Sequence, residues 1–346
     1  MQDFPKVSIL VPARNEAGNI SKCLNSLAKL NYPKFDVTVI DDGSTDHTGE
    51  IARGIAEKIS VSLNVVRNES LPSGWVGKNH ALHIGQETVS SDWLLFTDAD
   101  TFHYADSLKT AIQFALEKGL DFLSYSPEQE CVTFWEKVAQ PMVFSFLSRR
   151  FALKDINNGD HPAAANGQYI LISRKAYDLF GGHQAVKGEV LEDVALARLA
   201  RSKGLRVGFY PGAGLVRTRM YRTFREIWNG WTKGLFPLLD YRLGAVIKIL
   251  IVVLFTSVLP IIGLAIAAVL LLSLHYVIAV VLAALMAGIL VAALLEYRTT
   301  LQENRFPDSS LFLFPLSGLL FVSLLIASVY RHKTKSIKWK DRTYDA

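Results

Sequence analysis

The sequence predicts an α/β domain built on a mostly parallel sheet, followed by an α-helical transmembrane region. Three observations carry this reading. From residue 1 to about 215, short apolar runs alternate with longer amphipathic ones and no internal repeat occurs, the pattern of strands interleaved with covering helices. No Asp, Glu, Lys or Arg falls between Lys248 and Glu296, a run of 47 residues, whereas one bilayer crossing takes about 20. The 346 residues are 50% hydrophobic and only 20% charged, with a mean hydropathy of +0.22. That balance excludes a wholly soluble enzyme and a disordered chain, and two cysteines exclude a disulfide scaffold.

The elements follow in order. VSILV (7–11) reads as a buried strand, and 16–30 as a helix with Ile20, Leu24 and Leu27 inward and Cys23 as core filler. Residues 37–41 form a second strand, followed by a helix from about Thr45 that Gly43 and Ser44 introduce. Residues 61–66 form a third strand, 77–88 a helix, 92–98 a fourth strand and 121–125 a further one. Each acid-bearing turn comes at a strand's C-terminal end, where open α/β sheets bind ligands. A catalytic domain of 1–240 is expected, with two segments able to lie at a membrane interface, 133–153 and 221–242, where aromatic and basic residues mix. For 133–153 a core-facing helix interrupted at Pro141 is the competing reading. In 221–242, Tyr221, Phe224, Trp228, Trp231 and Phe236 are expected at the headgroup level because the membrane region follows directly.

The membrane region, 246–330, divides at Ser273–Leu274–His275 into spans of 246–272 and 276–295, with a third at 309–330. The net charge of +5 is concentrated beside these segments, which favours a membrane surface and argues against nucleic acid as a partner. The apolar run at the start stops at Pro12, too short for a signal peptide, so the catalytic domain is expected on the cytoplasmic face of the cell membrane. The tail, 331–346, carries six basic residues against two acids and is expected on that face too. Three spans would put it on the other. Either 309–330, with its Phe314–Pro315 break, is re-entrant, or the charge bias is overridden; the anchor is multi-pass with its count open.

Chemistry concentrates in a few motifs. FTDADT places Asp98 and Asp100 on alternate residues after a strand, where two carboxylates can converge on a hard divalent cation, Mg²⁺ or Mn²⁺, that also takes phosphate oxygens. A solvated acidic turn is the competing reading of D-x-D alone. VIDDGSTDHT sets Asp41 and Asp42 at another strand end, able to accept hydrogen bonds from a ribose or a base imide; helix capping by Ser44, Thr45 or Asp46 explains one acid but not two adjacent ones. Pro12 is expected to stop strand pairing so that the backbone of Ala13 and Arg14 faces a ligand. GWVGKNHAL offers Lys78 at a helix start, placed for a phosphate, without the spacing of a Walker loop. Glu192 and Asp193 open an amphipathic helix, where the dipole favours acids.

In this order and combination the motifs resemble the family 2 glycosyltransferases of the type A nucleotide-sugar transferase fold, over roughly residues 5–235. The resemblance implies that Pro12, Ala13, Glu16 and Asp41 or Asp42 belong to the nucleoside-binding part. It implies that Asp98 and Asp100 hold the diphosphate through a metal, and that Asn166, Gly167 and Gln168 lie beneath the sugar and acceptor. Asp193 is then the general base and Glu192 its support. Processive members carry Q-x-x-R-W before the membrane region; here Arg222-Thr-Phe-Arg225-Glu-Ile-Trp228 departs from it. The GW-x-GK loop and the C-terminal apolar segments are closer to the bacterial lipid-modifying branch that includes carotenoid- and hopanoid-associated enzymes. The expected activity is inverting transfer of a hexose from a nucleoside diphosphate, UDP foremost, to an amphiphilic membrane lipid. A processive polysaccharide synthase and a non-catalytic membrane scaffold are the alternatives.

Overall fold

The computed structural model describes residues 4–151, 153–159, 161–273 and 275–334, with the backbone of 337–339 and 342–344. Leu274, at the expected division of the uncharged run, and residues 335, 336, 340, 341, 345 and 346 of the basic tail lie outside the described residues. The chain forms two compact units, Met1–Glu128 with Phe151–Met220, and Gln129–Arg150 with Tyr221–Ala346. The segments 129–150 and 221–240 therefore group with the apolar helices.

The first unit contains β1 (Val7–Ala13), α1 (Ile20–Leu27), β2 (Phe35–Asp41), α2 (Thr48–Ala56), β3 (Leu63–Arg67), α3 (Gly77–Glu87), β4 (Trp93–Phe96), β5 (Thr101–His103), α4 (Ser107–Lys118) and β6 (Phe122–Ser126), which leads to a two-residue strand β7 (Glu128–Gln129). After α5 (Phe134–Arg150) of the other unit come α6 (Leu153–Asn158), β8 (Ile170–Ser173), α7 (Arg174–Phe180), α8 (Glu192–Ser202), β9 (Val207–Pro211) and β10 (Val216–Thr218). The main sheet runs β3-β2-β1-β4-β8-β6-β9. Its pairs are parallel except around β8, which is antiparallel to both β4 and β6.

Alternation along the strands explains the layers. Val7, Ile9 and Val11 of β1 and Trp93 and Leu95 of β4 join one core with Leu24 of α1, Ala52 of α2 and Ile112 of α4. Leu10, Leu94 and Phe96 point the other way, into a second core with Leu82 of α3, Tyr177 of α7 and Leu196 and Ala197 of α8. Both faces are covered, so these strands read as continuous apolar runs. Cys23 is buried, as expected of core filler.

Two expectations about helix starts are corrected. The first helix begins at Ile20, because the carbonyl of Glu16 already closes a turn with the N–H groups of Asn19 and Ile20. The second begins at Thr48, because Asp46 accepts the Thr48 N–H while Asn15 takes the Thr45 N–H.

In the second unit α5 and α9 (Phe224–Gly234) precede α10 (Leu243–Val253), a π-helical turn (254–258), α11 (Leu259–Leu272), α12 (Tyr276–Glu303), a 3₁₀ turn (308–313) and α13 (Phe314–Lys333). Three helical stretches, Leu243–Leu272, Tyr276–Glu303 and Asp308–Lys333, are long and apolar enough to cross a membrane. α5 and α9 start alike. In TFWE and TFRE, Thr133 and Thr223 accept the N–H of Glu136 and Glu226, whose carboxylates reach back to the N–H groups of Thr133 and Arg222, a reciprocal cap. Glu226, read above as a departure from a processive motif, is thus a capping residue.

α5 runs unbroken through Pro141, so the expected interruption is absent. Residues from Val138 to Ser145 are all buried, which leaves only Phe134 and Trp135 of its apolar residues prominently exposed. Tyr221, Trp231 and Phe236, expected at a lipid headgroup level, are buried too, and the Trp231 indole N–H donates to Gln140 at 2.9 Å. Pro315 does not break a span but sits in the first turn of α13, where its missing N–H costs nothing.

Candidate active site

β1, β2 and β4 run parallel, so their C-terminal ends share one edge of the sheet. β8 runs the other way and starts at that edge, with Ile170 opposite Phe96. Four segments distant in sequence therefore meet there: 14–16, 42–46, 97–100 and 166–168.

At the centre stands Lys78 in the first turn of α3. Its ammonium lies 2.7 Å from Asp98 Oδ1 and 2.8 Å from Glu192 Oε1. Burial alone would favour the neutral amine, but the two carboxylates outweigh it and hold the lysine charged. Burial pushes the Asp98 carboxyl above its ordinary range despite Lys78. Next to Lys78, Asn79 is fully buried and donates to the carbonyls of Val186 and Glu189, fixing the segment that delivers Glu192 and Asp193.

Asp193 opens toward the 166–168 loop. Its Oδ2 accepts the Gly167 N–H at 2.8 Å and its Oδ1 the Val194 N–H at 2.8 Å. Burial first, and the adjacent Glu192 second, push it up to about 6 against the pull of Lys78 and the two N–H donors, inside the range where a carboxylate can exchange protons at neutral pH. Gly167 is required here. A Cβ on it would lie 2.7 Å from Lys78 Nζ and 3.1 Å from Glu192 Oε1, filling the space that the cation and the acids enclose.

The other expected residues take more varied places. Asp42 is buried and accepts from Asn68 Nδ2 at 2.8 Å, and Asn68 contacts His80 Nδ1 at 3.2 Å. Asp41 is buried, accepts the Ser44 N–H at 3.0 Å, and packs where a Cβ on Gly49 would clash with it; it holds the turn. Arg14 donates to the carbonyls of Asp42 and Gly43. Glu16 accepts from Asn19 Nδ2 at 2.7 Å. Asn166 accepts the Gln168 N–H on its own side chain, while its N–H donates to Ser124 Oγ. Gln168 is buried with its amide toward Thr218, so it supports the loop from behind.

Pro12 does not end strand pairing as expected. β1 continues beside β2 to Ala13, opposite Asp41, and the Ala13 carbonyl accepts the Asp42 N–H. Pairing with β4 has ended at Leu10, whose carbonyl takes the Thr97 N–H. Pro12 shares Leu10's orientation along the strand, so its missing N–H falls where no ladder remains to be broken.

Sequence reasoning missed the groups that hold these ones. Thr97 donates to the Gln168 carbonyl at 2.8 Å and contacts His103 Nε2 at 3.0 Å, tying the turn that carries Asp98 to the loop that carries Gly167. Burial holds His103 down to about 3, hence neutral. Asn68 follows β3, whose Arg67 lies opposite Asp41; only that register sets it beside Asp42, and no local pattern announces it.

The acids suit a divalent cation. Beyond burial, the Cys23 thiol is pushed up by Asp100, Glu16 and Asp98, so three carboxylates create one negative region at the sheet edge. Among the described residues no group of three or more His, Cys, Asp or Glu forms a closed cage. One or two carboxylates completed by phosphate oxygens and water is how Mg²⁺ is usually bound.

Known proteins share the fold. Along 98% of the chain and 88% of its own length, the 4,4'-diaponeurosporenoate glycosyltransferase of Staphylococcus aureus (strain USA300) is 28% identical. The mannosyltransferase PcManGT of Pyrobaculum calidifontis, solved with GDP-Man and Mn²⁺, shares the fold at a TM-score of 0.53 and 18% identity, over 95% of this chain and 87% of that one. Residues 8–180, half of the chain, match the family profile of glycosyl transferase family 2, and the protein accordingly belongs to the family 2 glycosyltransferases.

Proposed function

We propose that the chain transfers a hexose, with inversion, from a uridine diphosphate sugar to an amphiphilic lipid acceptor at the cytoplasmic face of a membrane, with a divalent cation required. The observation that carries this reading is the single cluster in which Lys78 joins Asp98 to Glu192 while Asp193 faces Gly167. An anion-handling group and a proton acceptor stand side by side, as a displacement at the anomeric carbon requires.

Asp98 and Asp100 would hold the cation, which when bound supplies charge neutralisation to the diphosphate. The remaining chemistry belongs to the chain. Asp42 is supported as a nucleoside contact by its strand-end position and its Asn68 partner. Asp193 accepts the acceptor's O–H proton as the acceptor oxygen bonds to the anomeric carbon. The bond from that carbon to the diphosphate oxygen breaks on the opposite side, and the electron pair leaves with the nucleoside diphosphate. Lys78 offsets the charge that accumulates there. A lipid acceptor is supported by the three apolar helices and by the relative named for a diaponeurosporenoate.

The test is a panel of radiolabelled nucleotide sugars incubated with purified enzyme, Mn²⁺ or EDTA, and a total lipid extract. Label is expected in the organic phase from a UDP-sugar, in the Mn²⁺ arm alone. Label confined to long water-soluble chains would instead mean a processive synthase.

A further inference from the structure

We propose that this chain enters a bilayer as a two-helix hairpin, α10–α11 outward and α12 back, and that α13, although long and apolar enough to cross, returns beside the hairpin to the face it started from. The acyl core of the bilayer is then met mainly by α11 and α12, and Thr334 lies on the same face as α9.

The hairpin follows from its two ends. α11 and α12 pass closely, since a Cβ on Gly263 would lie 2.5 Å from Met286 Cγ. Neighbouring arginines of α5 then tie the segment that precedes α10 to the far end of the uncharged run. Arg150 pairs with Asp240, just before α10, and Arg149 pairs with Glu296, the first charge after the run, each at 2.8 Å. A chain that leaves beside Asp240 and is back beside Arg149 at Glu296 has gone out and returned.

α13 starts where α12 has already come back, with the Phe314 ring 4.8 Å from that of Tyr297. A helix of 20 residues is about 30 Å long. Crossing from there would carry its last turn to the far end, beside Leu272 and Tyr276. Its last turns contact the opposite region instead. Ser328 Oγ accepts the Phe236 N–H at 3.0 Å, Arg331 donates to Asn229 Oδ1 and Thr232 Oγ1, and His332 lies 2.9 Å from the Lys233 carbonyl with its ring 5.4 Å from Tyr241. Its first part meets α10 and the π-helical turn, where a Cβ on Gly318 would overlap Ser257 and approach Val253. α13 therefore runs antiparallel to α10, from the level of Ser257 to that of Tyr241.

Surface chemistry agrees. One side of α13 (Leu320, Phe321, Leu324 and Leu325) is buried in protein while Leu319, Ile326 and Tyr330 on the other are exposed, and Ile262, Val269, Val281 and Leu285 of the hairpin are exposed too. Two crossings also bring Arg149, Arg150, Arg242, Arg298, Arg331 and Lys333 to one face, where a positive-inside bias places the cytoplasm. The opposition between three apolar segments and a basic tail disappears once one segment does not cross.

The test labels single cysteines in the full-length chain, with Cys23→Ala and Cys131→Ser as background, using a membrane-impermeant maleimide on intact and on disrupted spheroplasts. Ser273→Cys is expected to label in intact spheroplasts, and Glu303→Cys and Thr334→Cys only after disruption. Labelling of Thr334→Cys together with Ser273→Cys would mean that α13 crosses, and protection of Ser273→Cys until disruption would mean that the hairpin does not; either overturns the proposal. Should a cysteine variant fail to accumulate, the natural sequence fused after Ala346 to a fluorescent protein or to alkaline phosphatase gives an independent reading. Fluorescence without phosphatase activity is expected, and active phosphatase overturns it. No transfer assay enters, so the outcome stands apart from the identity of donor and acceptor.

Discussion

Replacing Asp193 with Asn separates stability from catalysis. The carboxylate accepts two N–H groups, from Gly167 and Val194, each at 2.8 Å. An amide keeps one acceptor and turns a donor toward the other N–H, a loss of about 1 kcal/mol. Against this stands the burial that, with Glu192, pushes the carboxyl from 3.8 up to about 6. A shift of that size is worth at most about 3 kcal/mol against the ionised form. Because the folded state binds the proton more tightly, the penalty is absent below pH 3.8, grows between 3.8 and about 6, and is complete above. Asn escapes it. The variant is therefore expected to match or exceed the wild type in urea unfolding at pH 8, by up to about 2 kcal/mol, and to lose that advantage at pH 3.5. Transfer to a hydroxyl acceptor should fall on the order of 10²–10⁴-fold, and calorimetry should find nucleoside diphosphate affinity within about twofold. Wild-type transfer should rise with pH through about 6 as Asp193 ionises, and the variant should lack that limb. Undiminished transfer to a hydroxyl acceptor would refute the assignment. A carboxylic acid acceptor, with a pKa of about 4, arrives already ionised and needs little base, so its rate should fall less than about tenfold. Comparing both acceptors on one variant thus distinguishes glycosyl ester formation from glycoside formation.

Four further outcomes are expected. Asp98→Asn and Asp100→Asn should each abolish the Mn²⁺-dependent part of nucleoside diphosphate binding in calorimetry; metal-dependent affinity unchanged in both would remove them as ligands. Thr97→Val should raise the Mn²⁺ concentration needed for half-activation several-fold at nearly unchanged thermal midpoint, and Thr97→Ser should restore it; a shifted midpoint alone would reduce Thr97 to a packing role. Trp231→Ala should cost about 3–5 kcal/mol in denaturant unfolding as a buried aromatic, whereas Trp228→Ala should leave stability within about 1 kcal/mol and slow transfer to bilayer-embedded acceptor; equal effects would contradict the burial difference. The acid limb of transfer should lie at higher pH with saturating donor than at low donor, and coincident limbs would mean that donor charge does not reach Asp193.

What the sequence disclosed depended on how local each signal was. β1 and β4 were legible because both faces are covered, so every residue of LLF and SILV is constrained at once. Asp98, Lys78, Glu192 and Asp193 were legible as types at strand and helix ends, but their joining was not. Lys78 meets Asp98 and Glu192 across separations of 20 and 114 residues, and the register that brings them together is written in the sheet order. Trp231 and Phe236 were misplaced because an aromatic beside a basic residue looks the same whether its partner is a headgroup or Gln140. TFWE and TFRE were legible and overlooked: a Thr three residues before a Glu marks a helix start on its own, and it explains Glu226 better than comparison with a processive motif. Pro12 was read for the bond it removes rather than for the edge on which that bond would have lain.

The start of α3 gives the site its logic. Lys78 and Asn79 are adjacent, yet the first bonds the carboxylates of Asp98 and Glu192 while the second fixes the backbone at Val186 and Glu189 from which Glu192 and Asp193 follow. On the roles proposed above, one helical turn thus positions the donor-side acid and the proton acceptor together. Their charges are shared as well as their positions, since Lys78 lowers the proton affinity of Asp193 while Glu192 raises it. A diphosphate drawn to Lys78 competes with Glu192 for the ammonium. As that hold weakens, the negative charge of Glu192 is less compensated and Asp193 binds a proton more strongly. Under the proposed mechanism, a general base strengthened when the donor's charge arrives, and weaker without it, would act on the acceptor when a sugar is present to be transferred. Separate placement of the two acids on unconnected loops would give the same groups without this dependence, so the proposed mechanism gives the short glycine-bounded turn at Gly77 a part in the reaction as well as in the fold.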